Sequence, residues 1–240
     1  MEKWFDFKGR GTNASTEVIA GITTFITMVY IAIVNPAILS KTGMDFNGVF
    51  VATILATMIG TLIMGVFSNY PIAIAPGMGL NSFFAFAVVL ALGITWQKAL
   101  GAVFIASLIF LVLSFTKFRN VLINSIPESL KHSITAGIGL FIAFIGLQGS
   151  KIIVDSPATL VTFGHASDPV VLLTIFNLFV TVVLMMFNVR GNIFIGMVIT
   201  AIIALFNGMI TLPPSLFVWP TGLEHTAMQM DIKGVFDDNL

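Results

Sequence analysis

Few side chains in this sequence of 240 residues could do chemistry. There is no cysteine, which excludes disulfides, thiolate nucleophiles and cysteine metal ligands. His132, His165 and His225 share no ligand spacing, so neither a metal site nor a cofactor is expected. The one dense cluster is residues 69–84, NYPIAIAPGMGLNSFF. Gly77 and Gly79 carry no side chain and would let a ligand approach the backbone, with Met78 and Leu80 between and beside them. Asn81 offers a hydrogen-bond donor and an acceptor, as a helix cap or as a ligand contact. A helix restarting after Pro76 would aim unpaired N–H groups, from about Leu80 to Phe83, and its positive dipole end at an anionic or hydrogen-bond-accepting group. The chemistry on offer is recognition, with no credible nucleophile and base pair for an enzyme.

The surrounding sequence dictates where that cluster must sit. Hydrophobic residues make up 57% of the chain, charged residues 9%, and mean hydropathy is +1.02, so an integral membrane protein is expected. Its apolar residues come in long runs rather than alternations, which selects an all-α polytopic protein over a barrel. Runs long enough for a hydrocarbon core of about 30 Å place seven spans near 16–40, 47–68, 71–93, 98–116, 128–149, 169–188 and 191–211. Pro127-Glu128 and Asp168-Pro169 read as helix starts, and Asn188 to Gly191 as a polar turn.

Within the third span, the stretch 69–84 holds two prolines and two glycines, the poorest helix formers. An extended Pro71–Ala75 would cover about 17 Å and a helix from about Asn81 to Gly93 about 20 Å, enough together for one crossing. A short strand followed by a half-helix is therefore expected, with the break near the midplane. Non-helical backbone at that depth must be satisfied by protein or by a water-filled cavity, and a lone strand needs a partner. A kinked structural helix is the alternative. The concentration of prolines, glycines and Asn81 favours a binding site.

Elsewhere the polar signals are sparse. In the first span Thr27 lies about halfway along and could face the site, although membrane threonines also satisfy their own helix. Asn35-Pro36 reads as a kink or helix end. Tyr30, Gln148 and Asn177 read as interhelical hydrogen-bond partners. Phe83, Phe84 and Phe86 could offer an aromatic surface or simply pack. No span interior contains Asp or Glu, whereas a proton-driven carrier keeps an ionisable group in its pathway.

Loop charges set the orientation. Lys3, Lys8, Arg10, Lys117, Arg119, Lys131 and Arg190 fall on one side and Lys41, Lys98, Lys151 and Lys233 on the other, which predicts a cytoplasmic N-terminus. The domain reading is an interfacial N-terminal segment over 1–15, a membrane region over 16–211 and an extracellular connector over 212–240. The N-terminus is too polar for a cleaved signal. The balance of 11 basic and 11 acidic residues argues against nucleic acid as a partner.

The segments AGITTFITMVYIAIVNPAIL, NYPIAIAPGMGLNSFF and IPESLKHSITAGIGLFIAFIGL resemble the N-terminal half of the guanine/hypoxanthine/adenine (AzgA-like) permeases of the nucleobase transporter superfamily. The resemblance implies a fold of two inverted sets of seven spans, with the third span a strand and half-helix paired with its counterpart in the second set. It implies a purine nucleobase as substrate, a proton as coupling ion, a bacterial plasma membrane, and contact between Asn81 and the purine. It admits a homodimer of the full-length protein. The acidic residues that such permeases carry in later spans have no counterpart in this sequence, so a truncated half is expected. A small-anion carrier or channel, or a non-transporting half with a partner chain, are the rivals.

Overall fold

The computed structural model describes residues 5, 7, 9, 11–116, 121, 124–211 and 221–236. Lys3, Lys8, Arg10, Lys117 and Arg119, on which part of the orientation reading rests, and residues 212–220 and 237–240 of the expected connector lie outside these residues. The chain divides into two compact units. One comprises Met1–Ile33, Ile54–Ala75 and Gly146–Trp219, the other Val34–Thr53, Pro76–Ile145 and Pro220–Leu240.

The helices follow the apolar runs: α1 (Ala14–Met28), α2 (Ile31–Leu39), α3 (Phe46–Val66), α4 (Met78–Ala91), α5 (Trp96–Ser114), α6 (Glu128–Gly149), α7 (Pro169–Met186) and α8 (Asn192–Phe206). Five helical stretches among the described residues are long and apolar enough to cross a membrane, and α4 and α8 are shorter apolar helices. The protein is a multi-pass helical membrane protein.

Local chemistry accounts for the boundaries. Asn13 caps α1 by accepting from Thr16 N–H at 2.9 Å, and Asp168 caps α7 by accepting from Val170 N–H at 2.9 Å, with Pro169 in the first helical position. The turn before α8 closes with Asn188 and Gly191 at φ +53° and +75°, where a glycine carries no steric penalty. The first span is interrupted at Val29-Tyr30 and resumes with tight bonds from Ala32 N–H to Val29 O and Ile33 N–H to Tyr30 O.

In the first unit α7 and α8 pack closely. A Cβ on Gly196 of α8 would stand 3.0 Å from Asn177 Oδ1 and would run into the Thr181 hydroxyl, so the glycine is what permits the approach. Asn177 Oδ1 is buried with no hydrogen-bond partner among the described residues. In the second unit Phe84, Val89 and Ala99 form a packed cluster between α4 and α5. The tail 221–236 docks on the first turns of two helices: Asp231 N–H donates to Gln97 O at 3.0 Å, Gly101 faces Asp231 O, and Gly48 faces Gly222 O.

A hairpin of β1 (Ile153–Ser156) and β2 (Leu160–Phe163) follows α6, in antiparallel register from Ile153 opposite Phe163 to Ser156 opposite Leu160. The sequence reading contains no such element.

Candidate functional site

The break in the third span is real, and it starts its helix earlier than expected. Residues 69–77 are neither helix nor paired strand. Ile72 N–H turns back to Tyr70 O at 2.9 Å, a tight turn around Pro71. Ile74 is held on α3: its side chain packs on Gly60, its N–H donates to Thr61 Oγ1 at 3.0 Å, and that hydroxyl donates to Ile74 O at 3.3 Å. Ala73 and Ala75 make no backbone hydrogen bond among the described residues.

The α4 helix begins at Met78, with Gly77 at the cap position (φ −76°, ψ 105°) and no side-chain cap bond. Its first backbone bond runs from Asn81 N–H to Gly77 O at 3.1 Å. The unpaired first-turn N–H groups are therefore those of Met78, Gly79 and Leu80, earlier than the Leu80 to Phe83 expected, because glycine at 77 and 79 does not prevent helix initiation. Asn81 is not a cap; it lies one turn inside. From Phe83 to Ala91 the helix widens to π geometry.

The freed Asn81 side chain joins a buried polar chain. Asn81 Nδ2 donates to Asn35 Oδ1 at 2.5 Å, Asn35 Nδ2 donates to Thr53 Oγ1 at 2.8 Å, and Thr53 donates to Val49 O at 2.7 Å. Asn35 and Thr53 are buried, at 3% and 5% exposure. Asn81 Oδ1 has no partner among the described residues, and Asn81 lines a cavity of about 580 Å³ within the second unit. That volume lies in the range of small-molecule sites. Leu80, Phe83 and Phe84 share its otherwise apolar lining, and Lys98 is its one charged member among the described residues. Lys98 Cε and Asp231 Cγ both lie within 3 Å of where a Gly234 Cβ would stand, so a carboxylate accompanies the lysine.

The site residues read from the sequence have different fates. Leu80 and Asn81 line the cavity. Gly77 faces open space, while Gly79 packs on Ile138 of α6 with no room for a Cβ, so its missing side chain serves helix packing. Met78 opens the helix. Thr27 lies in the first unit and donates to Thr24 O at 2.7 Å, leaving only acceptor lone pairs. Phe86 receives Lys41 Nζ at 5.3 Å over its ring. Asn35, read as marking a kink, proves to be the hub of the polar chain. The available signal was its chemistry, since an amide in an apolar span must find partners.

A discontinuous span with a polar amide at an apolar cavity, among apolar helices, is an arrangement by which membrane carriers hold their cargo. The chain belongs to the permease family, whose model matches residues 15–234. It is 52% identical over 208 residues to the guanine/hypoxanthine permease PbuO of Bacillus subtilis, covering 86% of this chain and 48% of that protein. It is 49% identical over 225 residues to the guanine/hypoxanthine permease PbuG of the same organism, covering 90% and 51%. To the adenine permease AdeP of Escherichia coli it is 44% identical over 243 residues, covering 99% and 53%. The chain spans about half the length of these curated relatives.

Proposed function

We propose that this chain is half of a purine nucleobase carrier, taking guanine or hypoxanthine and extending to adenine, with Asn81 as the polar contact. The observation that carries the reading is the Asn81 amide, held at an apolar cavity with its oxygen unclaimed by protein. A purine is flat, largely apolar on its faces and edged with N–H and acceptor groups, so apolar walls with one amide suit it. Relatives named for guanine, hypoxanthine and adenine support the same substrate class.

In this reading Gly77, Met78, Gly79 and Leu80 bring the first-turn backbone toward the site. The protein lies in a bacterial plasma membrane with a cytoplasmic N-terminus, residues 1–15 at the interface and 212–240 as an outside connector to a second inverted set of spans. The proton is the coupling ion, and the complete protein is a homodimer. The anion-carrier reading gains one observation, Lys98 in the cavity lining, but Asp231 beside it offsets that charge.

Uptake of labelled bases into cells lacking their own carriers tests the proposal. The complete protein is expected to take up guanine or hypoxanthine. Uptake of uracil with no purine would overturn the assignment.

A further inference from the structure

The polar chain that ends at Asn81 has a fixed direction. Val49 O can only accept, so the Thr53 hydroxyl must spend its hydrogen there, i to i−4 along α3. The Thr53 oxygen is then an acceptor, which only the NH₂ end of the Asn35 amide can satisfy. That turns Asn35 Oδ1 toward α4, where it accepts from Asn81 Nδ2. Each amide is thereby set in one of its two orientations by a backbone carbonyl at the far end. Of the Asn81 amide, which lines the cavity, Oδ1 is left as a free acceptor beside the second hydrogen of Nδ2, and the chain fixes which side of the residue each occupies.

We propose that Asn35 and Thr53 are positioning residues that lock the Asn81 amide with its oxygen toward the cavity, so that the site selects ligands presenting a ring N–H there. The inference rests on the purine reading above and adds to it the polarity of the contact and the residues that set it. An amide free to turn over would accept from one ligand edge and donate to another with little preference. The locked one leaves a buried acceptor unpaired when the ligand has no N–H to give, and that loss is a basis for discrimination. Asn35 sits on α2, Thr53 on α3 and Asn81 on α4, so three helices converge on a single orientation.

The test compares hypoxanthine with its 1-, 7- and 9-deaza analogues, in which a ring nitrogen becomes C–H with no gain in bulk. Each is used to compete with labelled hypoxanthine uptake by the complete protein. In the wild type at least one analogue is expected to compete about fivefold or more weakly than hypoxanthine. In Thr53→Val, which keeps the side-chain shape and deletes the hydroxyl, that ratio should fall to within about twofold, and Thr53→Ser should restore it. If Thr53→Val does not reach the membrane, Thr53→Ala against Thr53→Ser supplies the same comparison. A ratio unchanged in the variant, or an equal loss for every ligand, would overturn the proposal. Absence of any purine uptake by the wild type would instead remove the purine reading itself, and the inference with it.

Discussion

The Thr61 hydroxyl binds both backbone groups of Ile74, accepting from its N–H at 3.0 Å and donating to its carbonyl at 3.3 Å. One side chain of α3 thus replaces a rung of the ladder that the unpaired segment before α4 lacks. Thr61→Val should leave two backbone groups unpaired in an apolar setting, at about 1–3 kcal/mol for each that finds no other partner. The expected result is a lower thermal midpoint in detergent for Thr61→Val, with Thr61→Ser close to wild type. Equal midpoints for Val and Ser would mean that the clip contributes nothing.

The two glycines of the break separate packing from ligand approach. Gly77 has open space around its missing Cβ and an ordinary φ of −76°, so Gly77→Ala should leave stability unchanged or raise it by about 0.4–1 kcal/mol. Gly79→Ala drives a methyl group into Ile138 and should cost about 1–3 kcal/mol. Thermal unfolding measures both. If Gly77→Ala also lowers purine uptake at normal stability, the backbone at 77 is a ligand approach; unimpaired uptake returns it to a plain helix start.

The spans were legible because long apolar runs leave a chain little alternative to helix, and the starts at Glu128 and Pro169 because proline and aspartate act locally. The break at Pro71 to Gly77 was legible for the same local reason. What escaped depends on distant partners. The role of Asn35 is set by Thr53, 18 residues on, and by Asn81, 46 residues on. The hairpin at Ile153–Ser156 and Leu160–Phe163 is short, and its second strand is exposed throughout, so no alternation of burial marked it. The half-helix start at Met78 was missed because glycine was weighed as a breaker, whereas in the first turn it costs little.

The 240-residue chain by itself is expected to insert but not to accumulate purine against a gradient. The backbone of Ala73 and Ala75 lacks hydrogen-bond partners among the described residues, and no span interior supplies a carboxylate to couple protons to transport. A second copy of fixed orientation lies the same way up and cannot serve as an inverted partner. Liposomes holding the chain under an imposed proton gradient, followed with labelled hypoxanthine, measure this. Gradient-driven accumulation would show that the chain needs no second half.

Asn81 is the residue on which the functional account depends most, and equilibrium binding of hypoxanthine to the purified complete protein tests it most directly. Asn81→Ala removes one or two hydrogen bonds to a neutral ligand, worth about 0.5–1.5 kcal/mol each, so the dissociation constant should rise roughly two- to tenfold while the protein remains in the membrane. An affinity equal to that of the wild type in a normally inserted Asn81→Ala protein would contradict the account.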